Sequence, residues 1–230
     1  DEFNNKIKSD YIEYNKITNF LKLQGKIILK DTDNNIFNTS VATYDNNNKI
    51  FKSFGESNFK TFKGYSIKTS DLIINYKNFS VISNKEATIE DLDGNKINLE
   101  NFEYLKEKNI FKSIGKINLT DKLNNIYKFT QLYIDEEKQE IIGSDAKIFI
   151  NNEDFKINNK NKPRVFANTI SINNNKTTFI KSNFTMCNYR KNDKCPPWQL
   201  NASQITHDKK RKTIFYDNAV IKIYNVPVLY

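Results

Sequence analysis

The chain is poor in the residues from which most active sites are assembled: 230 residues contain one histidine, two cysteines, one methionine, one tryptophan and six glycines. A single imidazole, His207 in Ile205-Thr206-His207-Asp208, leaves little from which to build a base and its orienting partner, so a structural or turn role is expected for it. No Gly-rich phosphate loop and no nucleophile elbow is present. Two cysteines without histidines nearby make no zinc site. No run reaches the ~18 apolar residues of a membrane-spanning helix. These absences predict a protein without catalytic residues, metal or cofactor.

What is present is polar and basic. Thirty-six Lys and Arg against 27 Asp and Glu leave +9, a balance that suits an anionic partner such as nucleic acid, a phosphorylated glycolipid or a membrane surface. The simpler reading is compositional, because Lys, Asn and Ile are over-used together and Lys also protects sheet edges. No basic platform interleaved with aromatics points to single-stranded nucleic acid, so no nucleic-acid partner is expected. Aromatics at 13% argue against disorder.

A unit of about 30 residues recurs. Gly25-Lys26-Ile27-Ile28-Leu29-Lys30-Asp31-Thr32-Asp33-Asn34-Asn35-Ile36 shares most of its positions with Gly115-Lys116-Ile117-Asn118-Leu119-Thr120-Asp121-Lys122-Leu123-Asn124-Asn125-Ile126, 90 residues on. Ile50-Phe51-Lys52-Ser53-Phe54-Gly55 and Ile110-Phe111-Lys112-Ser113-Ile114-Gly115 lie 60 apart. Within units, apolar and polar residues alternate as in strands with one buried face, and Asp/Asn-rich turns separate them. Alignment at this period stacks Leu29, Phe59, Ile89 and Leu119; Phe37, Ile67, Ile97 and Tyr127; and Tyr44, Ile74, Tyr104 and Ile134. The fold class predicted is all-β, an elongated twisted roll of stacked units in which isolated units do not fold. The interior residues expected are Ile27, Leu29, Phe37, Phe51, Phe59, Ile67, Ile89, Ile97, Leu99, Phe111, Ile117, Leu119, Tyr127 and Phe129, which ordinary core packing would explain equally well.

Residues 1–19 are less regular and fit a strand or a helical turn. The polar stretch Asn151–Pro163 reads as a long loop, since alternation resumes at Arg164–Ile172. Asp91-Leu92-Asp93-Gly94-Asn95 has the opening of a calcium loop, but Phe102 stands where the bidentate Glu belongs, so a hairpin turn is expected. Lys209-Lys210-Arg211-Lys212 reads as a nucleic-acid or head-group contact, or equally well as a charged hairpin tip in water. Cys187 and Cys195 bracket a polar loop and point to an oxidising compartment, with either a local disulfide or a thiol awaiting an outside partner.

The tail from Pro197-Trp198-Gln199-Leu200-Asn201-Ala202-Ser203-Gln204-Ile205-Thr206-His207-Asp208 through Thr213-Ile214-Phe215-Tyr216-Asp217-Asn218-Ala219 to Val226-Pro227-Val228-Leu229-Tyr230 resembles the roll-to-barrel junction of the LptD family of outer-membrane lipopolysaccharide-assembly proteins. The repeat, Gly-x-Ile-x-Leu followed by Asp and Asn-Asn, is similar to the OstA-type repeat of that pathway over roughly residues 20–186. The resemblance implies an OstA-type β-jellyroll, non-enzymatic, at the periplasmic face of the outer membrane, whose greasy interior passes lipopolysaccharide acyl chains. It implies three parts: an N-terminal edge segment (1–19), the repeats (20–186), and a Cys-containing junction (187–230) leading to a barrel beyond Tyr230. It further implies a periplasmic bridge protein docking by β-augmentation near Ile7–Leu23, and a lipoprotein plug in the barrel. Phe184-Thr185-Met186-Cys187 matches the motif whose cysteine is bridged to the barrel, while Cys195 departs from it and leaves a local Cys187–Cys195 bridge open. Trp198 is expected to pack as a lid at the junction. The chain begins with Asp1, so either a targeting peptide has been removed or the chain has been trimmed. The rival class is a β-solenoid adhesin or polysaccharide-binding protein, which calls for exposed aromatic ladders, and a β-helical lyase or hydrolase calls for paired carboxylates.

Overall fold

The structure is a computed structural model that describes residues 5–151, 163–187 and 197–229. Apart from one 3-10 turn at Lys106–Lys108, every described element is a β-strand, and the expected all-β class is observed. The chain divides into two compact units, Asp1–Gly115 and Lys116–Tyr230.

The first unit contains β1 (Lys6–Lys8), β2 (Tyr11–Asn15), β3 (Phe20–Lys30), β4 (Ile36–Asp45), β5 (Ile50–Lys60), β6 (Ser66–Ser70), β7 (Ile73–Asn75), β8 (Ser80–Ser83), β9 (Ala87–Glu90), β10 (Lys96–Leu99), β11 (Phe102–Leu105) and the start of β12 (Ile110–Thr120). The N-terminal segment, open in the sequence, is strand from Lys6 onward. Two of the long strands divide their partners: the start of β3 pairs with β2 and its end with β1, and β5 pairs first with β7 and then with β6.

Two apolar ladders follow from this register. One runs Ile7, Leu29, Phe37, Phe59, Ile67, Ile89, Ile97 across successive rungs. The other runs Tyr14, Leu21, Tyr44, Phe51, Ile74, Val81, Tyr104, Phe111. They face each other. Phe37 meets Phe51 edge-on at 5.5 Å between centroids, and Phe59 meets Tyr104 at 6.0 Å. One face of a strand is therefore folded onto the other half of the same face, burying apolar area worth roughly 1.5–3 kcal/mol per large side chain.

The second unit holds the remainder of β12 with β13 (Ile126–Asp135), β14 (Glu140–Phe149), β15 (Arg164–Ile172), β16 (Lys176–Thr185), β17 (Trp198–Asp208), β18 (Thr213–Asp217), β19 (Val220–Ile223) and β20 (Val226–Leu229). Its ladders are Tyr127, Ile148, Val165, Phe184, Leu200, Ile221, and Leu132, Gly143, Ile170, Phe179, Ile205, Tyr216. The long loop expected at Asn151–Pro163 falls mostly outside the described residues.

The thirty-residue period is written into the backbone. Left-handed φ recurs at Asn19, Lys49, Phe79, Asn109 and Gln139, at Asn34, Gly64, Gly94 and Asn124, and at Gly25, Gly55, Gly115 and Asp145. The first two series close hairpins and the third sits at mid-strand bends. Asp31, Asp91 and Asp121 build the same turn. The Oδ1 of each accepts the backbone N–H groups two and four residues on, and the Nδ2 of Asn35, Asn95 or Asn125 donates to its Oδ2 at 2.7–2.8 Å. The Asp91 run is thus a hairpin turn whose carboxylate is occupied by its own backbone. Turns are also stitched to their neighbours, since Asn35 Oδ1 accepts the N–H of Phe62 and Asn125 Oδ1 that of Asn151.

Gly143 faces inward between Leu132 and Ile170, and a Cβ there would collide with the ring of Phe129, lying 2.9 Å from its Cγ. Gly143→Ala should therefore lower stability by about 1–3 kcal/mol in urea unfolding. Adding Phe129→Leu should return part of that loss, whereas additive losses would show that the ring is not what Gly143 accommodates.

Candidate functional site

The inner faces of the strands enclose apolar space in each unit. Of the fourteen residues assigned to the interior from the sequence, thirteen are buried, and Tyr127 is half-buried. Leu29, Phe37 and Phe59 join Ile74, Val81 and Tyr104 around a cavity of about 190 Å³ in the first unit.

Over that cavity lies an ion pair. Lys106, in the 3-10 turn after β11, reaches back to the turn between β3 and β4, placing its Nζ 2.8 Å from an Asp33 oxygen and 3.1 Å from an Asp31 oxygen. Burial works to lower the Lys106 pKa, but hydrogen bonds to Asp33 and Asp31 outweigh it and the net displacement is upward. The two turns terminate different ladders, so the pair ties together the edges of the fold where the facing ladders end.

The cavity of the second unit is larger, about 330 Å³, which enters the range of small-molecule sites. Ile148 and Val165 form one wall and Phe179 and Ile205 another, with Phe184, Ile214 and Tyr216 beside them and the polar Asn125, Asn151, Thr177 and His207 also in the lining. Tyr127 lines it with its hydroxyl donating to Asp121 Oδ2 at 3.0 Å. Burial pushes that phenol's pKa up, and the Asp121 charge adds to the effect, so it stays neutral. His207 lies within β17, on the inward ladder between Thr177 and Ile214, rather than in a turn.

The interior residues expected from the sequence end at Phe129 and so miss Phe179, Ile205 and Tyr216. The thirty-residue columns do not extend past residue 150, and simple alternation along β16, β17 and β18 is the signal that finds them. Trp198 is half-buried edge-on to Phe184, with centroids 6.1 Å apart. The Cys187 thiol lies 3.9 Å from the Trp198 carbonyl, while Cys195 and the loop between the cysteines lie outside the described residues.

Among the described residues no cluster of three metal-ligating side chains occurs. What the fold and interior define is an all-β roll lined with hydrocarbon. No family model and no curated protein matches the chain. Among solved structures it is similar to LptH, the LptA homologous periplasmic component of the conserved lipopolysaccharide transport device from Pseudomonas aeruginosa, at 10% identity and a TM-score of 0.27, covering 71% of this chain and 94% of that one. Likeness at that score is too loose to carry a functional reading, which must come from the chain's own interior.

Lys106→Met should cost about 1 kcal/mol at neutral pH, the scale of a partly exposed pair. Because the folded-state pKa of Lys106 is raised, its contribution is complete below the ordinary lysine value of 10.5 and is lost as pH climbs through the higher folded value. Urea midpoints of wild type and variant should converge at that alkaline limit; a constant gap would assign the loss to packing of the lysine stem.

Proposed function

We propose that this chain is the periplasmic OstA-type roll of an LptD-like translocon, a non-enzymatic conduit that takes lipopolysaccharide from a bridge protein and passes it to an outer-membrane barrel holding a lipoprotein plug. The observation that carries this reading is the 330 Å³ cavity between the inward ladders of the second unit, walled by Ile148, Val165, Phe179 and Ile205. An interior of this kind gives an acyl chain hydrocarbon contact without demanding hydrogen bonds from it. A ligand with many hydroxyls would find few partners there.

The entrance in this reading is the N-terminal edge. β1 and β2 pair only with β3 among the described strands, and Tyr11, Ile12 and Tyr14 are about half exposed, which supports docking of a partner strand by backbone hydrogen bonds. Whether Cys187 joins Cys195 or a barrel cysteine belongs to the same proposal. The polysaccharide-binding alternative gains little, because the exposed Phe54 and Tyr133 stand opposite Val41 and Ile142 rather than in an aromatic ladder.

Photo-crosslinking residues at Ile205 and Thr206 test the conduit in cells making the full-length protein. Ile205 is buried against the cavity, and Thr206 is its neighbour on the opposite face of the strand. Lipopolysaccharide adducts are expected at Ile205 and not at Thr206. Adducts at neither position in folded, expressed protein would overturn the reading.

A further inference from the structure

The hairpin of β17 and β18 joins two features that the conduit leaves unconnected. Its strands supply Ile205, His207, Ile214 and Tyr216 to the apolar cavity. Its turn carries Lys209, Lys210, Arg211 and Lys212, all exposed. His207 is paired with Ile214, and Asp208 with Thr213, so the cations begin two residues beyond the cavity lining, roughly 7 Å of strand.

Little of the charge on Lys210, Arg211 and Lys212 is spent internally. Asp208 is the one carboxylate in the turn, and its Oδ1 accepts the backbone N–H of Arg211 at 2.9 Å, an interaction that holds the carboxyl below its usual range. Among the described residues no ion pair joins Lys210, Arg211 or Lys212 to a carboxylate. The adjacent turn, Asn173-Asn174-Asn175, has no acid, and its Asn173 carbonyl accepts from Lys209 Nζ at 2.6 Å. Lys176, paired with Asp208 across the ladder, adds another cation on the same side. A solvated hairpin needs none of this asymmetry, since alternating signs would solvate it as well.

We infer that the Lys209–Lys212 tip and the second-unit cavity form one amphiphile site, the cavity taking the apolar chain and the tip taking a phosphate-bearing head group. This rests on the conduit reading and deepens it, because it makes the second unit discriminate between lipids by head-group charge. Hydrocarbon burial supplies affinity common to any chain of suitable length. Charge-assisted hydrogen bonds from Lys and Arg to phosphate oxygens supply the discrimination, and they weaken with salt because the tip is exposed.

The test measures binding of dodecyl phosphate, dodecyl maltoside and inorganic phosphate to the whole chain by calorimetry, below the critical micelle concentrations. Dodecyl phosphate should bind about tenfold more tightly than the maltoside, and inorganic phosphate should not bind detectably. The quadruple variant Lys209→Gln, Lys210→Gln, Arg211→Gln, Lys212→Gln should bind both amphiphiles at the maltoside's affinity and stay folded, with thermal unfolding lowered only slightly by loss of the Lys209–Asn173 hydrogen bond. Equal affinity of the two amphiphiles for the wild type, or a preference that survives the quadruple variant, would overturn this inference and leave the conduit standing. Inorganic phosphate binding as tightly as dodecyl phosphate would make the tip a general anion site and overturn it too. If neither amphiphile binds, the conduit reading falls and this inference falls with it.

Discussion

Everything in this fold depends on the bend in the middle of its long strands. A strand that alternates apolar and polar residues buries one face only if something covers it, and here no helix is available among the described residues. The chain covers the face with itself. At Gly25, Gly55, Gly115 and Asp145 the backbone turns through left-handed φ, and in the first unit Phe37 can then meet Phe51 and Phe59 can meet Tyr104 across the interior. Glycine is the natural occupant of such a bend, and at Gly25 it is also required sterically, because a Cβ would run into Asp10, whose Oδ2 accepts the Lys26 N–H at 2.7 Å.

Bending a strand leaves polar groups near the bend without ladder partners, and in the first unit hydroxyls satisfy them. Ser53 Oγ lies 2.8 Å from Ser57 Oγ and accepts the Leu72 N–H, while Thr69 and Ser83 share a hydrogen bond at 2.9 Å. Buried hydroxyls paired in this way cost little, whereas unpaired ones facing hydrocarbon would cost roughly 1–3 kcal/mol each. The same pairing keeps these hydroxyls satisfied within the first unit.

Much of this was legible in the sequence. The Asp-x-x-x-Asn turns, the alternation and the thirty-residue columns are local or periodic signals, and Leu29, Phe37, Phe59, Ile67, Ile89 and Ile97 do fall on one continuous ladder. What was hidden is what depends on the third dimension. Nothing about Phe79 as a residue type predicts φ of 50°; its place in the series Asn19, Lys49, Phe79, Asn109, Gln139 imposes it, and packing supplies the strain energy. Lys106 meets Asp31 and Asp33 across more than seventy residues, a contact that exists only once the facing ladders are closed.

On the conduit reading proposed above, the two cavities would hold a lipid differently. The smaller is spanned by a lysine held between two aspartates, and the larger has beside it Lys210, Arg211 and Lys212, which form no ion pair with a carboxylate among the described residues. A conduit needs hydrocarbon contact along its length but must not hold its cargo at one point, since a site that binds too well becomes a trap. On that reading, the Lys106 ion pair at the first cavity would replace a head-group contact with an internal one and weaken retention there. The cations beside the second cavity would do the reverse. Such a difference in retention would favour residence of an anionic amphiphile in the second unit.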